Sequence, residues 1–170
     1  MLLEGGASLL DRGGPVLPWI GMLSLLMWSM AAERYCYLRW RMPLELLALV
    51  AHWSHERPRS RAVARRLHAQ RIAHVEARAR RHLPLLRALV QALPLLGLLG
   101  TVLGLTHTFD GIADAGLGNR RVIAAGIAES LIATAAGLAS AAAGLYACAR
   151  LDVRADAARL AAARALGDGA

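Results

Sequence analysis

The stretch from Pro94 to Thr106, PLLGLLGTVLGLT, constrains the fold of this chain more than any other. It is almost wholly apolar, carries Gly97, Gly100 and Gly104, and sets Thr101 among leucines. A helix in the core of a water-soluble protein tolerates such glycine density poorly, since each interior glycine costs about 1 kcal/mol relative to alanine. In a bilayer the same glycines let neighbouring helices approach closely, and a lone threonine can face a water-filled seam. The stretch predicts a packed intramembrane helix with one polar side.

Composition supports that reading. The hydrophobic fraction is 56% and the mean hydropathy +0.41, both high for a soluble protein. The apolar residues gather in three blocks, Val16–Ala32, Leu83–Phe109 and Val122–Ala149. Each is close to or above the roughly 17–25 residues that cross a bilayer as a helix. All 20 basic residues are arginine, and 13 of them lie between Glu33 and Arg87 against four acids, so that segment alone carries +9. Such a charge excess marks the cytoplasmic side.

The expected fold is therefore an all-α integral membrane protein with three transmembrane helices, N-terminus out and C-terminus in, whose long helices extend into the cytoplasm. The segments expected are a periplasmic N-terminus over 1–15, spans over 16–38, 84–109 and 122–149, a cytoplasmic helical segment over 39–83, a periplasmic loop over 110–121 and a cytoplasmic C-terminal helix over 150–170. Trp19 at one end of the first span, with Tyr35, Tyr37 and Trp40 at the other, fits an interfacial aromatic belt.

Competing readings of the same features are weaker. Arg57–Arg81 contains no Phe, Tyr or Trp to stack on bases, so nucleic acid is not expected, and anionic lipid headgroups suffice to explain the charge. Ser29-Met30-Ala31 resembles a cleavage site, but the preceding region is net acidic and arginines follow, against a signal peptide. Cys36 and Cys148 fall in a reducing compartment and read as small apolar packing residues. His52 and His55 lie three apart without further ligands, and His107 reads as interfacial. No cofactor or metal site is expected.

Within the cytoplasmic segment Met42-Pro43 is expected to open a helix from Leu44 to about Glu56, with Leu46, Leu47, Val50 and Trp53 at helical spacing. Arg57-Pro58 should break it, a second helix should run from Ser60 to His82, and Pro84 should lie near the start of the next span.

Two patterns organise the last two spans. Pro94, Thr101 and Thr108 recur every seven residues and share one face, with Gly97, Gly100 and Gly104 on its flanks. Gly126, Ser130, Ala133, Gly137, Ser140 and Gly144 alternate spacings of four and three, a small-residue seam for close helix packing. Packing does not explain Glu129, about seven residues inside the third span. An intramembrane carboxylate costs several kcal/mol unless paired, protonated or hydrated. Glu129, Thr101 and Thr134 are expected to line one polar route, with Thr108 and Ser140 as further lining positions. The alternative for each threonine is a hydroxyl bonded back to its own helix.

Leu86-Arg87-Ala88-Leu89-Val90 followed by Pro94–Val102 resembles the second-span signature of the MotA/TolQ/ExbB proton-channel family. Gly126–Leu138, with Ser130 where alanine is usual, resembles the third. Gly13-Gly14-Pro15 and Glu33-Arg34-Tyr35, at the two ends of the first span, are also similar. Three spans favour the ExbB/TolQ branch, and the short N-terminus is most like a short ExbB of a TonB system. The resemblance implies a bacterial inner-membrane, non-enzymatic homo-oligomer, commonly a pentamer, around the single helices of an ExbD-like partner. Work would pass to a TonB-like protein. It also implies that Thr101 and Thr134 face the lumen and that Glu129 is the pore-side carboxylate. Ala143 and Cys148-Ala149 depart from the family pattern of a proline and a Tyr-Asn pair. The alternatives are a TolQ-like subunit, a non-conducting membrane scaffold, and an intramembrane enzyme. The last lacks a paired carboxylate, an HExxH motif or a nucleophile–histidine set.

Overall fold

The computed structural model describes residues 14–55, 61–115 and 120–167, and among them the regular structure is entirely helical. The elements are α1 (Leu17–Cys36), a π-helical turn (Tyr37–Arg41), α2 (Met42–His55), α3 (Arg61–Arg80), α4 (Leu83–Ala115) and α5 (Arg120–Gly167).

The turn before α1 is set by Gly14, which adopts φ +68°. Leu17 N–H reaches Gly14 O at 3.3 Å and Ile20 N–H reaches Val16 O at 3.1 Å, so the helix begins two residues after the expected start at Pro15. The helix expected to open at Met42-Pro43 does start there, and it follows α1 without leaving helical geometry. Pro43 lacks an N–H and its ring would crowd the carbonyl four residues back. The π turn accommodates this: Met42 N–H bonds Tyr37 O, a five-residue step, and Met42 stays helical at φ −60°, ψ −42°. Pro84 sits in the first turn of α4, as expected, where no N–H is required. At the other end of the chain no break separates 122–149 from 150–167. Both belong to the 48-residue α5, because alanine and arginine continue a helix equally well across that boundary. The expected break at Arg57-Pro58 lies outside the described residues.

Two helices are long and apolar enough to cross a membrane by length and composition, within Ala69–Ala113 and Ile123–Ala165. α1 does not meet the same test. Its apolar run from Leu17 to Ala32 is 16 residues, diluted by Pro18, Trp19 and Trp28 and closed by Glu33-Arg34.

Inter-residue contacts divide the chain into two units. The first comprises the described residues within Met1–Trp28 and Arg87–Leu145. Here α4 and α5 run antiparallel with their backbones in near contact. A Cβ on Gly97 would stand 3.1 Å from Thr134 Cα, one on Gly104 2.8 Å from Ser130 Cβ, and one on Gly137 2.7 Å from Leu93 O. Gly100 faces Ala133, Gly126 faces Thr108, and Gly144 faces Met27 and Val90. The seam read from the sequence is thus the buried stripe of α5 except at Ser140, which is half-exposed while Ala141 takes the buried place. The large side chains point the other way: Leu95, Leu98, Val102 and Phe109 on α4 and Leu131, Leu138 and Leu145 on α5 are all more than half exposed. Val16, Ile20, Met27, Val90 and Leu93 are buried in this unit, but most leucines of the helix pair face outward, and so large an exposed apolar surface calls for lipid or protein cover.

The second unit comprises the described residues within Ser29–Leu86 and Tyr146–Ala170. Its apolar core is Leu38, Met42, Val75, Ala79, Leu83, Leu151, Ala155 and Ala162. Arginines tie it together. Arg34 is buried, donates to Arg78 O and lies 4.7 Å from the Tyr37 ring centre. Arg78 meets Glu45 at 3.0 Å, and Tyr37 O–H donates to the same Glu45 oxygen at 3.0 Å. Arg80 reaches Asp156 at 2.5 Å, Asp152 at 3.8 Å and Glu76 at 3.3 Å, while Arg159 reaches Glu76 at 3.2 Å. Cys148 is buried, as its reading as a packing residue requires, whereas Cys36 is exposed, against the same reading.

Three outcomes follow from this packing. Gly137→Ala drives a methyl into a backbone carbonyl and should cost about 1–3 kcal/mol in detergent unfolding. Gly21→Ala, with nothing within 4 Å, should be neutral or stabilising. Arg80→Gln removes a three-acid network and should cost on the order of 1 kcal/mol at low salt, a difference that closes in molar salt.

Candidate functional site

The polar groups of the first unit lie along the α4–α5 pair. Between residues 122 and 149 of α5 the one charged residue is Glu129; the rest are alanines, glycines, small hydroxyls and large aliphatics, with Tyr146 and Cys148 near the end. α5 presents Glu129 half-exposed, with no hydrogen bond or ion pair to its carboxylate among the described residues. That carboxylate lies over the bare Cα of Gly14, in the space a side chain there would need. It is level with the turn that opens α1 rather than with the middle of α1's apolar run.

Thr134 binds across the helix pair. Its hydroxyl donates to Gly97 O at 2.9 Å, a contact possible because Gly97 and Gly137 bring the two backbones together. The hydroxyl still has lone pairs to offer as an acceptor. Thr101 takes the alternative weighed above: half-exposed, it donates to Leu98 O of its own helix at 2.6 Å.

Thr108 is 5% exposed, donates to Gly104 O at 2.8 Å and packs against Gly126, so it is sealed inside the helix pair. Ser130 is buried too and donates to Ile127 O at 2.8 Å, which is how a hydroxyl fits where alanine is usual. Ser140 and Pro94 are half-exposed. The side chains of His52 and His55 lie outside the described residues.

The structure therefore brings Thr134 to Gly97, and Glu129 to Gly14, but does not gather Glu129, Thr101 and Thr134 on one face. Five residues along a helix is about 140° of rotation, so Glu129 and Thr134 look out from different sides of α5. Two participants were missed in the sequence. Gly14 entered there only through the resemblance of Gly13-Gly14-Pro15, with no role beside Glu129, and the carbonyl of Gly97 has no side-chain signature at all. What the arrangement offers chemically is an accessible acid and a backbone-tethered hydroxyl on a helix pair otherwise without charge over residues 88–106 and 122–149.

Comparison with known proteins fits this geometry. Residues 44–162 match the model of the MotA/TolQ/ExbB proton channel family. The chain is 40% identical over 74 residues to the Tol-Pal system protein TolQ of Haemophilus influenzae, covering 44% of this chain and 32% of that protein. It is 52% identical over 48 residues to the biopolymer transport protein ExbB of Salmonella typhimurium, covering 28% and 20%. It is 48% identical over 65 residues to a putative biopolymer transport protein ExbB-like 1 of Synechocystis, covering 36% and 26%. The matches thus span a third or less of the length of these relatives. No solved structure matches. With well over half of its residues inside one family model, and its glycine-packed helix pair within the matched region, the chain belongs to the MotA/TolQ/ExbB proton channel family.

Proposed function

We propose that this chain is an ExbB-like wall subunit of a proton-conducting motor in the bacterial inner membrane, a channel component rather than an enzyme. In this reading the segments 16–38, 84–109 and 122–149 all cross the bilayer, with the N-terminus outside and the arginine-rich segments in the cytoplasm. Copies assemble, as a pentamer, around the single helices of an ExbD-like partner. Proton passage then moves one subassembly against the other, and the work reaches a TonB-like protein.

The observation that carries the reading is Glu129. An acid without a counter-ion among the described residues, in an apolar run of 28 residues, costs several kcal/mol that alanine would not. Such a group fits a role in which a proton or cation meets it. Copies of Glu129 in a ring repel one another when all are ionised, which favours a passing positive charge at that level. Each charge that crosses draws about 2.3 kcal/mol per 100 mV of membrane potential. Thr134, with acceptor capacity left on its oxygen, and Thr101 are the hydroxyls proposed to extend the path. A TolQ-like subunit of an envelope-integrity system is the second reading, favoured by the 74-residue match to a TolQ.

Proton flux into vesicles reconstituted with the chain and its single-span partner tests the proposal. Glu129→Ala and Glu129→Gln should each lower the flux at least about tenfold while the complex still elutes intact. Wild-type flux from either variant overturns the role. Expression in strains lacking ExbB or TolQ separates the two readings: recovery of TonB-dependent uptake is expected, and recovery of detergent resistance alone would favour the second.

A further inference from the structure

We infer that Gly14 is a positioning residue for Glu129: the side-chain-free turn that opens α1 is the seat on which the carboxylate rests. The inference builds on the reading of Glu129 as the path acid, and adds the residue that fixes where that acid stands.

Three observations converge on this turn. Gly14 alone among the described residues has a positive φ, +68°, a conformation that L side chains adopt at a steric cost. Any Cβ at position 14 would land on the carboxylate of Glu129, with Cδ at 2.7 Å and Cγ at 3.0 Å. Among the described residues no N–H of the turn donates to the acid as in an ordinary helix cap, and Pro15 and Pro18 have none to give. Leu17, Trp19 and Ile20 also spend their N–H groups on Gly14 O and Val16 O. Shape, helped by the positive end of the α1 dipole, is what remains to define the position. Glycine at 14 thus acts in two separable ways: it allows the backbone conformation, and it leaves the space in which the flexible end of Glu129 rests. Gly21 in the same helix has nothing within 4 Å of a built Cβ and carries no such requirement.

The two reasons can be pulled apart by substitution. Asparagine tolerates a positive φ but brings a Cβ, so Gly14→Asn keeps the turn and fills the seat. Shortening the acid by one methylene in the pair Gly14→Asn with Glu129→Asp puts the carboxyl carbon where Cγ stood, 3.0 Å rather than 2.7 Å from the Cβ position, and gives part of the space back. The readout is carbodiimide labelling of residue 129, followed by peptide mass spectrometry on the full chain in membranes with its partner. Gly14→Asn should raise labelling several-fold, since the displaced carboxylate turns outward, and should cut proton flux about tenfold, as a misplaced reacting group does. The double variant should return labelling towards the wild-type level and regain part of the flux. Gly21→Ala should match wild type in both. Unchanged labelling in Gly14→Asn, or a double variant no different from it, overturns the seat.

Should Gly14→Asn fail to accumulate, oxidation of Gly14→Cys with Glu129→Cys, in a background with Cys36→Ser and Cys148→Ser, tests adjacency directly. Glu129 Cβ lies one carbon–carbon bond from a Cγ that is 3.0 Å from the Cβ position of residue 14, within reach of a disulfide. A cross-link supports the seat, and its absence under oxidation overturns it. Failure of this inference is distinguishable from failure of the proposed function. Wild-type flux in Glu129→Gln removes the acid from the path, whereas unchanged labelling removes the seat whatever the flux does.

Discussion

The first unit depends on the near contact of two backbones. Where α4 and α5 cross, the atoms that meet are Gly97 with Thr134, Gly104 with Ser130 and Gly137 with the carbonyl of Leu93. In lipid, burial of leucine against leucine gives little, because hydrocarbon chains are an equally good partner. Association has to come from dispersion at short range and from hydrogen bonds, and both need small residues. The Thr134 hydroxyl reaches Gly97 O only because no side chain stands between the helices. The outward leucines follow from the same constraint, since a seam filled with glycine and alanine leaves the bulky residues nowhere else to go.

The second unit is built by another logic. Its core is small and aliphatic, and its charges are arranged in pairs and triads around arginine. Exposed pairs of this kind contribute little singly, about 0–1 kcal/mol, and gain by sharing partners. Glu76 joins Arg80 and Arg159, and Glu45 joins Arg78 and Tyr37. Buried Arg34 differs from these. Its planar fork stacks on Tyr37 while donating to a backbone carbonyl, two contacts a lysine could not make together. An all-arginine basic complement suits such sites, and it sets the charge asymmetry along the chain at the same time.

Much of this was legible in the sequence, and the exceptions have physical reasons. The four-and-three spacing of small residues marked the seam because helix periodicity is a property of spacing alone. Pro84 was legible because the first turn of a helix needs no donors. The continuity through Pro43 was not, since a single π turn is written in backbone hydrogen bonds rather than in residue types. The end of the third apolar block likewise carried no helix boundary, because hydropathy changes at residue 150 while helix propensity does not. For the site, the roles of Thr101 and Thr134 differ by rotamer and by the height at which a glycine opens the neighbouring backbone. Sequence spacing gives which residues share a face but not which carbonyl a hydroxyl will find. Cys36 and Cys148 show the same limit, being one residue type with one exposed and one buried outcome.

The place of Glu129 bears on how such an acid can be kept at all. At the centre of a bilayer an ionised carboxylate is penalised by several kcal/mol, a penalty that falls steeply toward the headgroups. The carboxylate stands beside the turn that precedes the apolar run of α1, level with its first residues rather than its middle. In the proposed topology, with α1 across the membrane and its N-terminus outside, that level is near the outer face, where water and headgroups soften the cost. Thr134 is five residues further along α5, on another side of the helix, so a path that used both would have to pass around α5 rather than along one face of it. A single chain supplies no such passage, since the helix pair closes on itself through its glycines. In the oligomer proposed above, the wall would come from the junction of neighbouring copies, with one chain's Glu129 face and another's Thr101 face bordering the same space.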